Sequence, residues 1–110
     1  MSSFKTWFSL KQQVAHKTAV NKGWWDDPRS IAECICLMHS ELSEALEGVR
    51  KDNPPDSHIP EYTTLEAELA DVIIRIMDLA GRYDYDIAGA IEAKMAYNKT
   101  RQHRHGGKTL

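Results

Sequence analysis

At 110 residues, 42% hydrophobic and 27% charged, the chain suits one globular domain with a single core, near the size where oligomerisation helps. A formal net charge of −2 excludes nucleic-acid binding driven by overall charge, and no apolar run is long enough to cross a membrane. Residues 1–10 lack the apolar core of a signal peptide. Cys34 and Cys36 stand two apart in a helical pattern and point to different sides, so neither a mutual disulfide nor a zinc knuckle is expected. The expected location is a reducing cytoplasm.

The helical period predicts a first helix over residues 3–21, with Phe4, Trp7/Phe8, Leu10/Lys11 and Val14/Ala15 on its apolar side. Lys22-Gly-Trp-Trp-Asp-Asp-Pro28 interrupts it: Gly23 ends the helix, and Asp27-Pro28 fits an N-cap followed by a first-turn proline. A second helix is predicted over residues 28–51. Ile31, Cys34/Ile35, Met38, Leu42, Ala45 and Val49 face inward, and Glu33, Ser40, Glu44, Glu47 and Lys51 face outward. Glu41 falls on the inward seam, three residues after Met38 and four before Ala45. A carboxylate there is costly unless paired or bound to metal.

Asp52-Asn-Pro-Pro-Asp56 is a loop that continues past Pro60. Thr63 or Thr64 caps a third helix reaching residue 82, with Gly81 closing it. Its apolar face of Leu69, Val72, Ile73, Ile76 and Leu79/Ala80, widened by Ile74 and Met77, suits cover from more than one side, including another subunit. Asp84 or Asp86 caps a fourth helix reaching residue 101, with Ile87/Ala88, Ile91 and Met95 inward and Lys94, Asn98 and Arg101 along one face. Residues 101–110 carry three cations, two histidines and no acid. The expected fold is an all-α four-helix bundle over residues 1–110 as a single domain, with residues 102–110 a basic C-terminal tail.

Two carboxylate pairs organise the chain, Glu41-Leu-Ser-Glu44 on the second helix and Glu68-Leu-Ala-Asp71 on the third. Residues three apart share a helix face, so an antiparallel hairpin would bring all four to one point. At ~4 Å and an effective dielectric of ~20, each like-charge contact costs about 4 kcal/mol, so the cluster needs cations. Oxygen-only ligands suit Mg²⁺ or Mn²⁺ rather than zinc. Glu61, Glu68, Asp71, Arg75, Asp78 and Arg82 also read as an ordinary solvated stripe. A di-iron bundle is excluded, because none of Glu33, Glu41, Glu44 and Glu68 has a histidine three residues later. The His-Asp dipeptide of HD-type phosphohydrolases is also absent.

The ExxE pair, the ExxD pair, the Lys22-Gly-Trp-Trp-Asp-Asp-Pro-Arg29 lead-in and the downstream Lys94-Met-Ala-Tyr-Asn98 together resemble the MazG-like all-α nucleoside triphosphate pyrophosphohydrolases, a superfamily that includes dimeric dUTPases and dCTP pyrophosphatases. The resemblance covers nearly the whole chain. It implies Mg²⁺-dependent cleavage of a nucleoside triphosphate to monophosphate and pyrophosphate, for nucleotide-pool control or house-cleaning, by a homodimer or homotetramer. It further implies that Glu41, Glu44, Glu68 and Asp71 are metal ligands and catalytic, with Glu41 acting on the water. Lys94, Asn98 and Arg101 would steady the phosphates, helped by Arg104 and Lys108. His16, Trp24 and Trp25 would hold the base. The chain departs from dCTP-cleaving relatives at Arg75 and at Arg50-Lys51, where those relatives place aromatics, so the base preference stays open. The alternative is a non-catalytic helical module for nucleotide binding or oligomerisation. A third reading gives the tail an RNA or metal contact, although no nucleic-acid partner is expected.

Overall fold

The computed structural model describes residues 2–101 as an all-α arrangement of four helices: α1 (Ser3–Asn21), α2 (Ile31–Arg50), α3 (Thr64–Tyr83) and α4 (Ile87–Thr100). Among the described residues there is no strand, only an isolated antiparallel bridge between Pro55 and Thr63. Among the described residues no helix is long and apolar enough to cross a membrane. Both α1 and α2 pack on α3, while α4 lies mainly against α1. Arg104, Lys108 and the rest of the basic tail, residues 102–110, lie outside the described residues.

Side-chain caps set most helix starts. Thr63 accepts from the Glu66 N–H, and the Glu66 carboxylate accepts from the Thr63 N–H in return. Asp86, one of the two predicted caps, accepts from the Gly89 N–H at 2.9 Å. Gly23 follows the end of α1 with φ 85°, as its position predicted. The start of α2 differs from expectation. Asp27-Pro28 lies in the linker, and the helix begins at Ile31 behind a Ser30–Glu33 capping box. Two reciprocal hydrogen bonds at Ser30 outweigh the preset φ of a proline.

Gly81 does not close α3, which runs on to Tyr83 before Asp84 turns into the left-handed region at φ 57°. Its role is to let α1 approach: a Cβ on Gly81 would stand 2.7 Å from both the Gln12 carbonyl oxygen and the His16 Cβ. Gly81→Ala is therefore expected to destabilise the protein by about 1–3 kcal/mol, read as a lower urea midpoint at unchanged slope.

The inward faces are narrower than the periodicity implied. On α1, Phe8 and Gln12 are buried, whereas Trp7, Leu10 and Val14 are more than half exposed. On α2 the buried line is Cys34, Glu41, Ala45 and Gly48, while Ile31, Ile35, Leu42 and Val49 stay at least 40% exposed. On α3, Ala67, Met77 and Ala80 are buried and Leu69, Ile73 and Ile74 are exposed. Phe8, Met77 and Ala88 form the core, joined by Ala15, Ile87 and Ile91. The radius of gyration is 16.3 Å, against about 13 Å for a compact domain of this length.

The loop between α2 and α3 is a clasp. Asp52 and Asn53 take left-handed φ values of 63° and 50°. The Asn53 N–H donates to the Gly48 carbonyl at 2.7 Å, and its Oδ1 accepts from the Leu65 N–H at 2.8 Å. Thr64 gives its N–H and its hydroxyl to the Pro54 carbonyl at 2.8 and 2.7 Å. These bonds tie the last turn of α2 to the first turn of α3.

Candidate functional site

From that clasp α2 and α3 run back antiparallel, with Gly48 beside Thr64 and Glu41 beside Arg75. Glu41, Glu44 and Glu68 then converge, each offering one oxygen within 4.8 Å of the others. An octahedral ion with bonds of about 2.1 Å spans about 4.2 Å between opposite ligands, so this spread approaches the coordination sphere of one small hard cation. Asp71 is not in that trio. It sits one turn further along α3 and faces a neighbouring cavity together with Glu41.

Three carboxyls this close disfavour one another's ionisation. Glu68 Oε2 is buried with no hydrogen-bond partner. Burial, together with the hydrogen bonds and charges of Glu41 and Glu44, pushes the Glu68 carboxyl up to about 8. At neutral pH without a cation, Glu68 therefore holds a proton. Asp71 is exposed at the cavity edge, and partial desolvation there, with the Glu41 charge adding to it, pushes its carboxyl up. Glu41 behaves oppositely: burial raises it, but hydrogen bonds from Glu68 and Arg75 outweigh that and hold its carboxyl below the usual range. Arg75 spends Nε (2.9 Å) and Nη2 (2.8 Å) on the same oxygen, Glu41 Oε1. A divalent ion would replace the Glu68 proton and satisfy the orphaned oxygen, so the donor set fits Mg²⁺ or Mn²⁺.

The cavity holds about 590 Å³ and lies between α1 and α3, with Trp7, Lys11, Lys22, Trp24 and Ile74 around it and Glu41, Asp71 and Arg75 on the side of the acids. That volume is within the range for small-molecule sites. Trp24 is 41% exposed, and the Arg75 guanidinium lies 4.6 Å from its ring centre.

Of the predicted base-binding residues, only Trp24 lines this cavity. His16 and Trp25 are brought together around Asp78, which does line the cavity: His16 Nδ1 lies 2.8 Å from Asp78 Oδ1, and Trp25 Nε1 donates to the same oxygen at 2.9 Å. They meet edge to face at 5.6 Å. They clamp the α1–α2 break onto α3, and both of those ring nitrogens are already engaged.

Within one chain, Lys94, Asn98 and Arg101 do not reach the acids. None lines the cavity, and Lys94 and Arg101 lie over the Tyr97 ring at 5.5 and 5.9 Å. The cations at the cavity are Lys11, Lys22 and Arg75, none of them expected from the sequence to meet a phosphate. Arg75 was legible as the residue four after Asp71 on the same face, and Asp78 as the next turn. Lys11 was hidden between apolar neighbours. No family model, curated protein or solved structure matches the chain.

Proposed function

We propose that the protein is a Mg²⁺-dependent nucleoside triphosphate pyrophosphohydrolase, releasing a monophosphate and pyrophosphate. The observation that carries this reading is the convergence of Glu41, Glu44 and Glu68 with a buried, unpaired Glu68 oxygen, beside a cavity of nucleotide size that also holds cations and an indole. The ExxE and ExxD spacing that resembles the MazG-like enzymes supports it. A polyphosphate repels bare carboxylates, so acids and substrate share a site only with divalent cations between them.

Glu41, Glu44 and Glu68 would hold the cation. Bound Mg²⁺ supplies Lewis acidity at the phosphoryl oxygens and offsets the substrate's charge. Lys11, Lys22 and Arg75 surround the polyphosphate, and the Trp24 indole, which carries Arg75 at 4.6 Å and Arg29 at 5.5 Å, flanks the base. Asp71 takes the role of base that the sequence suggested for Glu41. It faces the cavity and its carboxyl is raised, whereas Arg75 lowers the basicity of Glu41. Asp71 accepts the proton of a water whose oxygen attacks the α-phosphorus, and the bond to the pyrophosphate leaving group breaks. The exposed apolar faces of α2 and α3 fit a second copy of the chain, as a homodimer or homotetramer. A role in nucleotide-pool control or house-cleaning is what the resemblance implies for such a reaction.

Incubation with the four dNTPs and four NTPs, with Mg²⁺ or EDTA, tests the reading. Monophosphate plus pyrophosphate, abolished by EDTA, is the expected result. Diphosphate plus orthophosphate would assign γ-phosphate chemistry instead. A Mg²⁺-dependent thermal shift without any product would make the protein a nucleotide-binding module.

A further inference from the structure

We propose that Arg75 is a resident counter-ion that yields Glu41 to an arriving divalent cation and then turns to the polyphosphate, so that cation and polyphosphate each favour binding of the other. This rests on the cation site argued above. Arg75 is the only cationic side chain hydrogen-bonded to the acid cluster among the described residues, and it commits two N–H groups to one Glu41 oxygen. The two side chains are 22% and 12% exposed, so the pair is largely shielded from water. A guanidinium does not shed its charge at working pH. A divalent ion drawn to Glu41, Glu44 and Glu68 therefore competes with it for the same carboxylate.

The displaced group has somewhere to go. The guanidinium already lies against the Trp24 ring and lines the cavity shared with Lys11 and Lys22. A modest rotation on the indole takes it off Glu41 and toward an anion there. Ligands that favour the same conformation of one side chain are thermodynamically coupled, and the coupling is reciprocal. An aromatic residue at this place would stack on Trp24 but would neither neutralise Glu41 nor meet a phosphate.

Mn²⁺ binding, followed by the electron paramagnetic resonance of free ion, tests this in wild type, R75M and R75K. R75M is expected to bind Mn²⁺ about tenfold more tightly than wild type, and R75K, which keeps a cation there, to stay near wild type. In parallel, the Arg75 Nε–H resonance, assigned by its loss in the variants, should move on adding Mg²⁺ and again on adding inorganic tripolyphosphate. The wild-type spectrum carries the test if R75M does not fold. Mn²⁺ binding of equal strength in wild type and R75M, or cation binding that leaves the Nε–H resonance in place, overturns the proposal and leaves the cation site standing. No cation binding by any of the three proteins overturns both.

Discussion

Glu68→Gln is expected to slow Mg²⁺-dependent pyrophosphate release by about 10³-fold while making the cation-free protein more heat-resistant at neutral pH. The amide removes a cation ligand, and it also removes a carboxyl whose burial among Glu41 and Glu44 raises it from 4.5 to about 8. Below pH 4.5 the folded and unfolded chains both keep the Glu68 proton, and the residue makes no difference. Between 4.5 and about 8 the unfolded chain releases it and the folded chain does not, so this contribution to stability falls as pH rises and is fully lost above 8. Calorimetry in EDTA should find the melting temperatures of wild type and variant converging toward pH 4 and furthest apart above pH 8. Mg²⁺ should close the gap by restoring wild type. Glu41→Gln makes the opposing case. It should cost similar activity but destabilise the protein by about 1–3 kcal/mol, because it weakens the partner of a shielded guanidinium. Parallel pH curves for wild type and E68Q would mean that Glu68 does not hold the proton.

Ile73→Asp and Leu46→Asp are expected to convert a sedimenting dimer or tetramer to monomer and to lower its melting temperature. Ile73 is 50% and Leu46 53% exposed in the single chain, alongside Leu42, Val49 and Leu69. Among the described residues no large side chain is fully buried, so one copy alone encloses little core. A carboxylate placed in the face that a second copy covers should weaken association by about 2–4 kcal/mol. Analytical ultracentrifugation of wild type and both variants decides it. A monomeric wild type would remove the second copy from the proposal.

The helices, their order and most of their ends were legible because caps and apolar periods are local signals. Thr63 and Asp86, each one of two caps the sequence offered, start α3 and α4. The Ser30–Glu33 box was equally legible but was overshadowed by Pro28. Glu41 was readable as an inward carboxylate because it interrupts an apolar seam, and it is indeed 9% exposed. What the sequence concealed is which side of each helix another helix covers. Trp7, Leu10 and Val14 look like core in a helical wheel, yet α3 packs on the turn marked by Phe8 and Gln12. The same ambiguity made Glu68, Arg75 and Asp78 resemble a solvated stripe, although α1 and α2 cover them. The partners of Asp78, separated from it by 62 and 53 residues, could emerge only from the packing.

The clasp at Asn53, Pro54 and Thr64 acts as a phase lock for the acids. It fixes which turn of α3 begins beside which turn of α2; Glu44 lies four residues before Gly48, which the clasp bonds, and Glu68 four residues after Thr64. One residue inserted between Thr64 and Glu68 would rotate Glu68 and Asp71 by about 100° relative to α2, because an α-helix has ~3.6 residues per turn. The outer loop beyond Pro55 carries no such constraint, since its own turn closes locally through Asp56 and Tyr62. Added length at residues 57–61 would leave the carboxylates in phase. Length added on the helix side of the clasp would uncouple one pair from the other while the helices themselves still form.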